Sequence, residues 1–410
     1  MPYQEEKGKE PAMPKLRPYS SGANQSEVRA HNERLMLSVL HQDGAMPGSE
    51  MARRTGLSPQ TVSVILRKLE HDGLILRGAS QKGRVGKPSV PMDINPEGLF
   101  SYGIKIGRRS TDLLLTDFRG TVHAQRRLRY PYPQPQEVFG FIERSLSEIQ
   151  AGLSPVHRLR VCGIGVATPF NLWRWHEEVG APKASLEAWK ELDLVQEIGK
   201  FSDLHVFVIN DATAACRAEH MFGGSSIWRD CVYFFIASFL GGGVVLNNSV
   251  YEGSQGNAGA LGPLPSRGTD GREARLLDTA SIRVLERRLI QADIDPTVLW
   301  QQPQDWSRIQ DYADRWLEDT AQALARAALA TCAVIDFEAV VIDGAMPADL
   351  RTRLVDRVRE ELPLLDTRGL ILPVVQEGRI GANASALGAA AKPLIAQFLL
   401  DSHSGFSHPY

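Results

Sequence analysis

The chain has 410 residues, too many for one ordinary domain and enough for two or three, each able to bury a core. Hydrophobic residues make up 43% and charged residues 23%, and no apolar run approaches the ~20 residues that a membrane span needs, which excludes a transmembrane reading. The formal net charge of −2 is unevenly spread: residues 24–90 hold ten Lys and Arg against six Asp and Glu, while residues 91–410 hold 32 against 39. A basic head on an acidic body fits a nucleic-acid module joined to a domain with another task.

Residues 1–23 mix charge with Pro, Gly and Ser and carry no apolar signal core, so they read as a disordered leader on a cytoplasmic protein. The four cysteines, Cys162, Cys216, Cys231 and Cys332, lie far apart without a CxxC pair, which predicts neither a disulfide framework nor a bound metal.

The head is expected over 24–90 as a winged helix-turn-helix. Leu35, Met36, Val39 and Leu40 recur on one face of a first helix, and residues 49–55 make a short second one. Ser58-Pro59 then supplies an N-cap and a first-turn proline for a third helix. In that helix Val62, Ile65, Leu66 and Leu69 share the apolar face, which leaves Gln60, Thr61, Ser63 and Arg67 outward; together with Ser58 they are the candidate DNA contacts, small polar groups and an arginine being suited to base edges and phosphates. Leu74 to Arg77 reads as a strand leading into a basic, glycine-rich wing whose Lys82, Arg84 and Lys87 suit phosphates or a minor groove. A trihelical protein-interaction domain is the plain alternative.

Residues 91–100, flanked by prolines, read as a linker, and 101–400 as the body. A strand over 101–107, a meander through 112–128, a helix over 136–152 and a strand over 160–167 alternate in the manner of an α/β sheet with helices on its faces. The helix over 313–333 reads as core or dimer interface, Asp343-Gly344 as a strand-end turn, and the tail 401–410 carries no motif.

In order along the chain, the winged head, YGIKIG (102–107), TDFRG (116–120), GIGVATP (163–169), VINDATAACRAEH (208–220), GGGVVLNNSVYEG (241–253), GNAGALG (256–262) and ALGAAAK (386–392) together resemble the ROK family of repressors and sugar kinases. The resemblance implies a two-lobed, actin- and hexokinase-like ATPase fold with a sugar-binding cleft, in a homodimer or homotetramer. It implies departures as well. Kinases of the family open their first strand with an Asp-x-Gly-x-Thr phosphate loop; here the aspartate position is Lys105, and Gly107 is followed by Arg108-Arg109. Phe239 stands in the second glycine-rich loop, where phosphate needs room. The zinc histidine and cysteines of the family are absent, and its sugar-binding glutamates are replaced near Ala260 and at Leu277, with Asp278 next to the latter as a substitute.

These departures predict no catalytic residue, no cofactor and no phosphotransfer. The Asn210-Asp211 pair matches the family, with Asp211 a sugar-hydroxyl acceptor, a helix N-cap, or both. Trp175 and Glu178, in the loop that the family places over the sugar, are expected either to stack on and bond a sugar or to pack as an aromatic lid, and Asn257 completes the candidate ligand set. The expected function is a sugar-responsive repressor released by a sugar from a pseudo-palindromic double-stranded operator; the alternatives are an active sugar kinase with an accessory DNA-binding head and a ligand-independent dimeric scaffold.

Overall fold

The computed structural model describes residues 25–79, 90–268, 271–301 and 303–400. The expected leader, the expected tail, and the wing residues Lys82, Arg84 and Lys87 lie outside them.

The head is α1 (Gln25–Asp43), β1 (Met46–Pro47), α2 (Gly48–Thr55), α3 (Pro59–His71), β2 (Ile75–Arg77) and β3 (Pro91–Ile94), with the strands in the order β1-β3-β2, all antiparallel. Residues 91–94, expected in a linker, are therefore the middle strand of the head's sheet. They are held there because Met92 and Ile94 bury on the same core as Met46, Met51, Ile65 and Ile75.

The body contains two five-stranded sheets of one design. The first is built from β4 (Phe100–Ile106), β5 (Ser110–Asp117), β6 (Val122–Arg129), α4 (Pro135–Gly152), α5 (Pro155–Leu159), β7 (Val161–Thr168), the short helices α6 (His176–Val179), α7 (Lys183–Glu187) and α8 (Leu194–Gly199), and β8 (Val206–Asn210). Its order is β6-β5-β4-β7-β8, a meander followed by two parallel strands. After α9 (Asp211–Ala218), the second is built from β9 (Cys231–Ile236), β10 (Leu240–Leu246), β11 (Ser249–Tyr251), the hairpin β12 (Pro265–Arg267) and β13 (Glu273–Arg275), α10 (Leu276–Ala280), α11 (Ile282–Gln291), α12 (Gln310–Cys332), β14 (Ala339–Gly344), α13 (Ala348–Glu361) and β15 (Val374–Glu377). Its order, β11-β10-β9-β14-β15, repeats the first. The last helix is α14 (Ala384–Phe398).

Two helices tie the lobes together. α9 leaves the first sheet and packs on β9 and β10 of the second; α14 leaves the second sheet and packs on β4, β7 and α9. Backbone approaches backbone here: a Cβ on Gly165 would overlap Ala389 O, and a Cβ on Gly388 would overlap Ala214 O, so only glycine fits. Both central helices are rich in alanine for the same reason.

The head is docked on the body. Phe118, Leu394 and Leu399 of the body complete the core formed by Met36, Leu37 and Leu40 of α1, which is why Leu37, off the face that periodicity singles out, is buried. Asn95 Nδ2 donates to Gly73 O at 2.7 Å, Arg160 Nη1 donates to Gly98 O at 2.8 Å, and Arg119 pairs with Asp93. Asp343 is not a mere turn residue. Fully buried, it accepts from Tyr233 Oη (3.1 Å), Gly344 N (2.8 Å), Gly381 N (3.0 Å) and Arg351 Nη1 (3.1 Å), and so fixes β9, β14, α13 and the approach to α14.

Candidate functional site

Two sites emerge, one on the head and one between the lobes. On α3 the apolar side chains Val62, Ile65, Leu66 and Leu69 are buried, and Gln60, Ser63 and Arg67 are exposed on the opposite side, with Thr61 half-buried. Ser58 caps the helix: its Oγ accepts from Thr61 N at 3.1 Å and shares a 2.8 Å hydrogen bond with Thr61 Oγ1, so these two hydroxyls position the helix before anything else. Val64, which the polar/apolar division of the sequence passes over, is 44% exposed among Gln60, Ser63 and Arg67, and offers the apolar surface a thymine methyl packs against. The neighbouring arginines are committed locally, Arg53 and Arg54 to Glu50 and Arg77 to Glu70.

The second site is a cleft of about 800 Å³ walled by both lobes. Asn210, Asp211, Trp175, Glu178 and Asn257 all line it. Each arrives by a different route: Asn210 ends β8, Asp211 opens α9, Trp175 and Glu178 sit on the turns after β7, and Asn257 lies in the loop between β11 and β12. The first turn of α14 adds Ser385, preceded by Ala382, and the turn between β9 and β10 adds Phe239.

The capping role expected for Asp211 falls instead to Asn210, whose Oδ1 accepts from Ala212 N (3.0 Å) and Thr213 N (3.1 Å). Among the described residues Asp211 bonds only the next residue's N–H, at 2.9 Å through Oδ1, which leaves Oδ2 for the cleft. Trp175 is not an open stacking platform on both faces. The Arg108 guanidinium carbon lies 4.2 Å from its ring centroid and 4.5 Å from that of Phe239, and the two rings stand 5.2 Å apart at 57°. Burial against these rings pushes the Arg108 guanidinium below the usual arginine range, an effect opposed by the charges of Asp211 and Glu178. Arg108 is the cleft residue that sequence reasoning left out; only its place after Gly107 pointed to it.

Lys105 also lines the cleft, with Nζ 3.6 Å from Asp112 Oδ2; Arg127 pairs with the other oxygen of the same buried carboxylate. A cation already committed to Asp112 therefore stands at the end of β4. Phe239 is buried at the mouth of β10, and Leu277 contributes an apolar wall. Asp278, the expected substitute for the missing glutamate, turns away to pair with Arg275 at 2.7 Å. Among the described residues no group of three or more His, Cys, Asp or Glu is placed to hold a metal ion, and no helix is long and apolar enough to cross a membrane.

The cleft and the head meet through α14. Its first turn lines the cleft; at its other end Arg34 of α1 donates through Nε to Leu399 O at 2.8 Å and through Nη2 to Ile395 O at 3.1 Å, and Leu400 N donates to Ser38 Oγ at 2.8 Å. Beside this contact His41 packs against Phe118 and Phe222, with ring centroids 6.2 and 5.7 Å away. Burial, helped by Arg119, pushes its imidazole down to about 4. Glu219, which accepts from Arg379 N at 2.8 Å, is pushed up by burial to about 7.

Comparison with known proteins agrees with this division. Residues 29–75 match a family model of winged helix-turn-helix DNA-binding domains, and residues 101–394 match that of the ROK family. The Sinorhizobium fredii protein y4fQ is 26% identical over 371 residues, spanning 90% of this chain and 91% of that protein. The xylose repressor of Bacillus subtilis is 25% identical over 58% of this chain and 62% of its own length, and the DNA-binding transcriptional dual regulator NagC of Escherichia coli is 23% identical over 64% and 65%. Among solved structures, a ROK family transcriptional regulator homologous to the E. coli MLC protein superposes with a TM-score of 0.63 at 22% identity, covering 89% of this chain and 96% of that one. A ROK family glucokinase of Streptomyces griseus, in complex with glucose and AMPPNP, superposes with a TM-score of 0.56 at 19% identity over 72% of this chain and 98% of that one. A ROK-family model that matches most of the body, behind a separate winged helix-turn-helix match, places this chain in the ROK family.

Proposed function

We propose that the protein is a sugar-responsive transcriptional repressor: α3 reads a double-stranded operator, a sugar or sugar derivative binds in the interlobe cleft, and its binding releases the DNA. Gln60, Ser63, Val64 and Arg67 face the bases, and Ser58 and Thr61 hold α3 in register. Two copies would read a pseudo-palindromic site whose half-sites lie about one helical turn, or a multiple of it, apart. In the cleft Asp211 accepts hydroxyl hydrogens, with Glu178, Asn257 and the uncovered part of Trp175 around it. Phosphotransfer is not part of this reading. Lys105 stands where the kinases of the family have a metal-holding carboxylate, and Phe239 and Arg108 pack together in the wall of the same cleft.

The observation that carries the proposal is the continuous path from cleft to head. α14, about 22 Å long at 1.5 Å per residue, begins in the cleft and ends on Arg34 and Ser38 of α1. A sugar that draws the lobes together at one end of α14 shifts α1 at the other, provided it binds the two arrangements with different affinity.

The test is to select operator fragments from genomic DNA with the full-length protein, then to measure their displacement by a panel of sugars and sugar derivatives. ATP with magnesium serves as the enzymatic control. Displacement by a sugar, without ATP hydrolysis in its presence, is the expected result; sugar-dependent ATP consumption would make the protein a kinase, and operator binding indifferent to every compound would make the body a scaffold.

A further inference from the structure

We propose that the ligand of the cleft is an anionic sugar derivative, a phosphate ester or a sugar acid, whose oxyanion is received by Arg108 while its hydroxyls reach Asp211. This rests on the reading of the cleft as the effector site. Among the other cations lining the cleft, Lys105 and Arg127 pair with Asp112, Arg109 with Glu286 at 3.9 Å and Arg275 with Asp278, while Arg129 donates to Trp300 O and Arg174 is exposed to solvent. Arg108 differs. Its Nε is buried without a hydrogen-bond partner, and no carboxylate among the described residues lies within ion-pair distance of it, Asp211 and Glu178 acting on it only through space.

The Arg108 guanidinium lies against both the Trp175 and Phe239 rings, which take it out of water without offering its N–H donors an acceptor, and a planar guanidinium matches two oxygens of a phosphate or carboxylate. A neutral sugar hydroxyl takes one such donor and leaves the charge uncompensated. An oxyanion takes two and supplies the missing counter-charge. One further feature favours an anion at this end. The first turn of the 15-residue α14, at Ser385, presents its amide end to the same cavity. The carboxylates of Asp211 and Glu178 repel an anion, which confines the charged group to Arg108 and directs the hydroxyls to Asp211.

Calorimetric titration of the full chain with glucose, glucose 6-phosphate, glucuronate and inorganic phosphate, repeated with Arg108→Gln and Arg108→Lys, tests this. The expected result is that at least one of the two anionic sugars binds tenfold or more tightly than glucose, and that inorganic phosphate competes with it. Arg108→Gln should abolish both the preference and the competition, and Arg108→Lys should restore only part. Preference for the phosphate ester over glucuronate, or the reverse, identifies the oxyanion. Glucose binding as tight as either anion, or a preference that survives Arg108→Gln, would overturn the anionic inference and leave the sugar-binding cleft standing. Silence from all four compounds would count against both. Circular dichroism of each variant separates misfolding from lost recognition.

Discussion

Gln60, Ser63, Val64 and Arg67 reach outward from one helix whose cap, core and exposed face are all written in the consecutive residues 58–71. Arg108, Trp175, Asp211, Phe239 and Asn257 converge on the cleft from five separate segments spread over both lobes. The first site is a surface, so altering it should change what it touches and little else. The second is a seam, where side chains are held by their neighbours: Asp112 by Lys105 and Arg127, Asn210 by the amides of α9, and Arg108 by its packing on two rings. Changing a residue in the seam should therefore be felt through the core that joins the lobes.

The sharpest contrast is expected at the crossing of the central helices. Gly388→Val drives a side chain into the Ala214 carbonyl, and overpacking against rigid backbone should cost about 3 kcal/mol or more, read as a lowered midpoint in urea unfolding. An unchanged midpoint would mean that α9 and α14 have room to part. In the cleft, Asp211→Ala should weaken effector binding by about 1.5–3 kcal/mol, the worth of hydrogen bonds to a charged acceptor, with operator affinity in the absence of sugar unaltered. On the head, Arg67→Ala should cost about 1–3 kcal/mol of operator affinity and leave the effector isotherm where it was. If Arg67→Ala weakened sugar binding, or Asp211→Ala weakened the apo complex with DNA, the division between surface and seam would fail.

The junction between the two regions should respond to acid. His41 in the folded protein is held at about 4, below its ordinary 6.5, so between these values the unfolded chain binds a proton that the native one refuses. Stability from this group is thus complete above pH 6.5 and is lost as the pH falls, by about 1.4 kcal/mol per unit at most. Glu219, held at about 7 against its ordinary 4.5, acts oppositely, its folded form losing stability as the pH rises from 4.5 towards 7. Comparing His41→Phe with the wild type at each pH cancels the Glu219 contribution. The variant should lose less stability on passing from pH 7 to 5, as followed by thermal unfolding; parallel profiles would show that His41 takes up its proton without cost.

The same contrast explains what could be read from the residues alone. Helical periodicity and the Ser58-Pro59 start define α3 and its outward face, because both are local properties of one helix. The ligand set around Asn210 and Asp211 was legible through an ordered series of motifs, yet the division of labour within that pair was not: which of two adjacent side chains turns back to the amides depends on the path of β8 into α9. Arg108 was illegible as a binding group because its two ring partners lie 67 and 131 residues away, beyond any pattern of spacing. The third strand of the head was missed because Pro91 to Ile94 resembles an extended linker until Met46 and Ile75 lie on either side of it.

The most direct measurement is of operator affinity with and without a saturating cleft ligand, for the wild type and for Arg34→Ala, with ligand binding recorded on the same samples. Arg34 joins α1 to the end of α14 and is not among the residues lining the cleft. If α14 carries the signal, the ligand should raise the operator Kd of the wild type at least tenfold. It should bind Arg34→Ala equally well yet change that variant's operator Kd less than twofold. An equal rise in both proteins would contradict transmission through α14.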